Sequence, residues 1–179
     1  MCEAVGAWDA IFLPLIPAGR AAGPGRDLVP NAREVLTCIK AAEEAVEEIG
    51  YHATVWCAPF LARFVRSKHI YVAPCSEDVA DISPQGELLF CDTLDFRTGD
   101  VREGFSRAWE AHLAFRDELL SDRDVRSMQP CSSCPARSFC EGGCLARALL
   151  MGGGVRASDP LCPAVADRNE AGRLRRHLP

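Results

Sequence analysis

Fourteen residues constrain this chain more than any others. The stretch Cys131-Ser132-Ser133-Cys134-Pro135-Ala136-Arg137-Ser138-Phe139-Cys140-Glu141-Gly142-Gly143-Cys144 carries four cysteines, separated by gaps of two, five and three residues. Four thiols in one short loop cannot all be inert core fillers, because the loop would leave little else to pack. They are metal ligands, disulfide partners or redox thiols, and the rest of the ten cysteines in the chain decide which.

Composition narrows the choice. A chain of 179 residues is long enough for one good core or for part of a larger one. Its hydrophobic fraction of 48% and charged fraction of 25% are ordinary for a globular protein. A net charge of −5 argues against a dedicated nucleic-acid binder, which would be basic. The start, Met1-Cys2-Glu3-Ala4-Val5-Gly6, lacks the basic region of a secretory signal. The apolar run from Ala10 to Pro17 is too short to cross a bilayer and is broken by Pro14 and Pro17. The expected setting is the cytoplasm, with no nucleic-acid or membrane partner. Thiols stay reduced there, so metal binding is favoured over a disulfide framework.

Taken in order, Trp8 to Ile16 reads as a buried strand, followed by a Gly/Pro-rich loop through Pro30. Asn31 is the expected N-cap of a helix reaching Ile49 and closed by Gly50. Its apolar stripe is Val35, Leu36, Ile39, Ala42, Val46 and Ile49; Cys38 is assigned to packing, and Glu43-Glu44 and Glu47-Glu48 to the wet face. Tyr51 to Trp56 reads as a second strand ending at Cys57. Strand, loop, helix and strand make one βαβ-like unit, which is a piece of a larger α/β architecture and not a closed domain. Such a piece leaves an apolar sheet edge exposed, so poor solubility without a partner half is expected.

From Ile70 the pattern changes to short strands. Val79 to Ile82 and Glu87 to Cys91 form a hairpin through Ser83-Pro84-Gln85-Gly86, which lets Cys75 and Cys91 approach one site. Gly99-Asp100 reads as another turn. Glu103 to Leu120 reads as an amphipathic helix burying Phe105, Trp109, Leu113, Leu119 and Leu120. Leu145 to Met151 forms a short helix ending at Gly152-Gly153-Gly154, and Ala164 to about His177 a last one with a basic end at Arg173, Arg175 and Arg176. His52, His69, His112 and His177 are scattered and expected at the surface or partly buried.

The whole cysteine series carries a resemblance. Cys75 is followed by a ten-residue gap to Gly86 and a four-residue gap to Cys91; then come the four-cysteine loop and a seventeen-residue gap to Cys162. This resembles the SPASM domain, the C-terminal auxiliary-cluster region of a group of radical SAM enzymes, over roughly Cys75 to Cys162. The segment Phe12-Leu13-Pro14-Leu15-Ile16-Pro17-Ala18-Gly19-Arg20-Ala21 resembles a late strand and loop of the radical SAM partial barrel. In that loop Arg20 is either a cofactor contact or a solvated arginine.

The resemblance implies two auxiliary [4Fe–4S] clusters. Cys131, Cys134, Cys140 and Cys162 would hold the distal one, and Cys75, Cys91 and Cys144 the nearer one, with Cys57 as candidate fourth ligand. It implies an α+β chain, with residues 1–69 the C-terminal strand and helix piece of an α/β partial barrel and residues 70–179 a small cysteine-rich SPASM domain of hairpin, helices and cluster-binding loops. Zinc remains open for the four-cysteine loop, since zinc also takes sets of four thiolates.

The S-adenosylmethionine-binding motif Cys-x3-Cys-x2-Cys is absent: Cys140 and Cys144 have its first spacing, but position 147 is Arg147. The chain is therefore expected not to cleave S-adenosylmethionine alone. Its implied partners are a radical SAM catalytic half (in cis or as a separate chain), a peptide or protein substrate and an electron donor. The competing expectation is a stand-alone binding module stapled by zinc or clusters, with no catalytic role.

Overall fold

The computed structural model describes residues 3–23, 26–75 and 79–168. Its best-defined local signal is helix α1 (Ala32–Ile49). The Asn31 side chain accepts from the N–H groups of Arg33 and Glu34 at 2.9 and 3.0 Å, and the Glu34 carboxylate accepts the Asn31 N–H at 2.8 Å. These reciprocal bonds satisfy donors that a helix start leaves unpaired. Gly50 closes the helix in the left-handed conformation.

The residues α1 buries are Ala32, Val35, Ile39, Ala42 and Val46. Leu36 is half-buried and Ile49 is exposed, so the stripe is narrower than expected. Cys38, expected in the packing, is exposed instead. It stands about 100° around the helix from Ile39, off the buried face. Nor are the acid pairs merely solvated. Glu43 accepts the N–H groups of Arg66 and Ser67, and Glu47 accepts the Ser67 hydroxyl, tying the helix to the segment that follows the next strand.

Three short strands form a parallel sheet in the order β1-β2-β3: β1 (Ala10–Phe12), β2 (Ala53–Val55) and β3 (Ile70–Val72). Ala53 and Val55, with Ile70 and Val72, face α1, while Tyr71 between them points outward. The expected buried strand from Trp8 to Ile16 contracts to three residues and is not buried: Trp8 is 90% and Ile11 54% exposed. β1 has a strand neighbour on one side only, and Pro14 and Pro17 end its pairing. Ile70–Val72, read from sequence as the head of the second segment, pairs with β2, so the first sheet continues past residue 69.

The second sheet is antiparallel, β4 (Asp81–Ile82), β5 (Glu87–Cys91) and β6 (Leu94–Asp100), with the expected turn between the first two. Strand β6 was not anticipated, because Asp95, Arg97 and Asp100 hide its alternation. Gly99, read as a turn, lies within it. Helix α2 (Phe105–Ser121) approaches so closely that a Cβ on Gly99 would stand 2.7 Å from the Ala108 carbonyl oxygen.

That approach fixes which face of α2 turns inward. The buried residues are Ala108 and His112, whereas Phe105 and Leu113 are exposed and Trp109, Leu119 and Leu120 only half-buried. His112 is 1% exposed, against expectation. Its Nδ1 lies 2.9 Å from the Thr98 hydroxyl and its ring stacks on Trp109 at 5.1 Å.

The chain then runs through α3 (Arg137–Cys140) and α4 (Leu145–Gly152) and is helical again at 163–168. The rest of the expected last helix, with Arg173, Arg175, Arg176 and His177, lies outside the described residues, as does Cys2. Among the described residues the result is an α+β arrangement with two small sheets and two apolar cores. One core joins α1 and the parallel sheet to Phe60, Leu61 and Leu161, with Cys140 and Cys162 packed against it. The other gathers Ile16, Leu94, Cys144 and Ala146, with Cys57, Cys91, Phe90 and Phe96 against it. No described helix is long and apolar enough to cross a membrane.

Candidate metal centre

The cysteines lie where the backbone changes direction. Cys57 follows β2 by two residues and Cys75 follows β3 by three, at the carboxyl ends of parallel strands, where α/β sheets commonly place their sites. Cys57 has φ of 53°, a left-handed conformation unusual for a residue with a side chain. Cys91 ends β5. The hairpin and the two strand ends thus deliver three thiols from segments far apart in sequence.

The four-cysteine loop splits its own ligands. Cys131–Ser133 is a single 3-10 turn, closed by the Cys134 N–H donating to the Cys131 carbonyl at 2.9 Å. Had α3 continued, Cys140 and Cys144 would share one helix face. Instead Glu141, Gly142 and Gly143 take φ of 47°, 85° and 88°, three left-handed residues in succession. The reversal sends Cys144 away from Cys140, and α4 starts directly after it.

Electrostatics records the outcome. Burial first, then the nearby charges of Cys144, Cys91 and Cys75, together push the Cys57 thiol up to about 12 against the lowering effect of Arg147. Cys75 is exposed as a residue, but desolvation of its thiol, then the charges of Cys144 and Cys91, bring it to about 11. In the other group burial lifts Cys140 to about 12, followed by the charges of Cys162, Cys131 and Cys134. Burial likewise lifts Cys162 to about 11, with Cys131 among the charges that add to it. Cys57, Cys75, Cys91 and Cys144 therefore stand together, and so do Cys131, Cys134, Cys140 and Cys162. All nine described cysteines are free thiols. Among the described residues, no three His, Cys, Asp or Glu side chains already stand as ligands of a single metal ion.

A buried ion pair holds the groups in register. Arg147 and Asp159 are both 0% exposed. Arg147 donates from Nε to Asp159 Oδ1 at 3.0 Å and from Nη2 to Oδ2 at 2.7 Å, and Nη2 also donates to the Cys57 carbonyl. Asp159 further accepts the N–H groups of Cys144 and Leu161, both at 3.0 Å, and its own carbonyl accepts the Cys162 N–H at 3.1 Å. Arg123 braces the same loop, donating to the carbonyls of Glu141, Val155 and Ala157. Sequence reasoning missed all three residues. A lone arginine in the otherwise apolar helix Leu145-Ala146-Arg147-Ala148-Leu149-Leu150 was the available signal.

Between the groups lies a small cavity of about 60 Å³ whose lining includes Cys75, Cys140, His112, Arg116 and Arg123. The donor chemistry is uniform: eight soft thiols in two fours, with arginines close by. Iron–sulfur clusters take such a set, and so does structural zinc. Arg20 is exposed, and His52 and His69 lie with tilted rings 5.3 Å apart at the opposite end of the strands, on no cysteine group.

Fold and site thus define a cysteine-rich α+β protein with two gathered thiol groups. Its relatives make the class specific. The chain is 30% identical to the AdoMet-dependent heme synthase of Nitratidesulfovibrio vulgaris over 90% of its own length and 48% of that protein's. It is 29% identical to the AdoMet-dependent heme synthase of Oleidesulfovibrio alaskensis, again over 90% of this chain and 45% of the relative. It is 36% identical to the PqqA peptide cyclase of Rhodopseudomonas palustris over 46% of this chain and 22% of that one. The chain spans about half the length of the heme synthases it matches. It is related to radical SAM/SPASM-type enzymes over their C-terminal part. No protein-family model matches it, and no solved structure does so significantly.

Proposed function

We propose that the chain holds two auxiliary [4Fe–4S] clusters and serves as the SPASM portion of a radical SAM enzyme. Cys57, Cys75, Cys91 and Cys144 would hold the nearer cluster, and Cys131, Cys134, Cys140 and Cys162 the distal one. The observation that carries this reading is the gathering of eight thiols into two fours from segments as distant as Cys57 and Cys144. When bound, such clusters supply one-electron redox capacity. The chain's own residues fix the ligands, exclude water through the two apolar cores and present the strand ends toward a substrate.

The proposed substrate is a peptide or protein, as the name of the PqqA peptide cyclases supports. The heme synthases, which match over more of the chain, favour a second reading in which the substrate is a heme-type molecule. Either way the S-adenosylmethionine-binding half and an electron donor are partners, in cis or as separate chains. The exposed apolar edge at β1 suits the partner half.

The test is iron and acid-labile sulfide after anaerobic reconstitution, read beside visible and EPR spectra. About eight irons per chain with [4Fe–4S] signals support the reading. Zinc without sulfide on a colourless protein overturns it in favour of a zinc-stapled binding module. S-adenosylmethionine cleavage by the isolated chain would overturn the assignment of that step to a partner half.

A further inference from the structure

We propose that the Arg147–Asp159 pair is a buried dipole set between the two thiol groups. Its guanidinium end raises the reduction potential of the nearer cluster through the Nη1–H of Arg147, which has no partner among the described residues. This inference rests on the two-cluster reading above.

The geometry leaves Arg147 little freedom. Nε and Nη2 form a fork on the Asp159 carboxylate and Nη2 reaches the Cys57 carbonyl, so the plane of the guanidinium is fixed. Nη1 is buried and has no partner among the described residues. A buried donor without an acceptor costs about 1–3 kcal/mol, more when it belongs to a cation. A native protein keeps such a donor where a group other than the protein's own atoms accepts its hydrogen bond. Cluster sulfur is such an acceptor, and the nearest thiols belong to the nearer group. Cys57 contributes the carbonyl that Nη2 touches, and Cys144 opens the helix on which Arg147 sits.

The guanidinium lies against the nearer group, with Nη2 on the Cys57 carbonyl, while the Asp159 carboxylate that holds it also accepts the Cys144 N–H. Arg123 faces Cys131 and Cys140 of one group and Cys144 of the other, so it does not distinguish them. Reduction adds negative charge to a cluster. A fixed cation in a low-dielectric setting stabilises that charge, and a fixed anion opposes it. Arginine stays protonated throughout, so the bias does not depend on pH. An electron arriving from an external donor would settle on the nearer cluster.

The test uses the anaerobically reconstituted chain, with iron and sulfide counted first and an EPR-monitored potentiometric titration second. Arg147→Gln should make reduction of one cluster at least tenfold less favourable, 59 mV for one electron, while the other moves in the same sense by clearly less. Arg147→Lys should fall between. Equal shifts of both clusters, or none, would overturn the proposal while leaving the two-cluster reading intact. Wild-type protein without iron and sulfide would sink both. If Arg147→Gln fails to assemble, wild-type protein labelled with guanidinium-15N arginine decides: pulsed EPR should show 15N coupling to the nearer reduced cluster, and its absence overturns the proposal.

Discussion

Replacing Gly143 by alanine should disable this chain through one contact. The added Cβ would lie 2.2 Å from the Asp159 Cβ and 2.9 Å from its Oδ2. Carbon atoms pack at about 3.5–4.0 Å, so the two backbones must separate by more than ~1 Å. Asp159 cannot follow without losing its bonds to Arg147, Cys144 and Leu161. Breaking a buried ion pair costs about 3–5 kcal/mol. The left-handed φ of 88° adds about 1–2 kcal/mol for a residue with a Cβ. The sum, about 4–7 kcal/mol, compares with a whole-domain stability of about 5–15 kcal/mol.

Gly153→Ala is the control. Its φ is 91°, and a Cβ there meets nothing within 4 Å, so only the conformational cost of about 1–2 kcal/mol remains. At about 2–4 °C per kcal/mol, Gly143→Ala should lower the Tm of the loaded protein by roughly 8 °C or more, and Gly153→Ala by clearly less. Anaerobic thermal unfolding followed by circular dichroism measures both. Equal losses would refute the argument that crowding at Asp159, and not the turn itself, demands glycine.

Two further outcomes follow from protonation. Burial, then the Arg116 charge, holds His112 below its ordinary value of 6.5, so the fold prefers neutral imidazole. The unfolded chain takes up the proton first as pH falls. Stability should be full above about 6.5 and decline below it until the folded value is passed. Urea midpoints between pH 5.5 and 8 should show this slope in wild type and lose it in His112→Phe; identical slopes would contradict the assignment. The raised thiols act at the other end of the scale. In the metal-free chain the stability linked to Cys57 and Cys140 is present below their ordinary 9.0 and lost as pH rises through about 12. At pH 8 only about one Cys57 in 10⁴ is thiolate, so iodoacetamide should modify exposed Cys38 far sooner, as peptide mass spectrometry would reveal. Equal rates would count against the burial of Cys57.

What could be seen in the sequence was what neighbours in the chain decide. The Asn31 and Gly50 caps, the Pro84-Gly86 turn and the helix after Cys144 each rest on a few adjacent residues, and each is present. What stayed hidden depends on distant ones. Strand β6 is visible only beside β5, and α2 turns Ala108 and His112 inward because Gly99 lets the helix approach. Arg147 looked like a residue spoiling a motif; its role emerges only when Asp159, twelve positions on, folds back against it. Cysteine spacing alone reads as one dense loop, and only the family resemblance implies that Cys144 belongs with Cys75 and Cys91. The three left-handed residues at 141–143 turn that loop into a divider between two groups.

The most direct test of the central claim is the iron and sulfide content of Cys91→Ala, Cys134→Ala and the double variant, prepared identically under argon. Two independent groups predict about eight irons in wild type, about four in each single variant and almost none in the double, with different EPR signals surviving in the two singles. If either single variant loses all its iron, or the double retains half, the thiols do not act as two groups and the account fails.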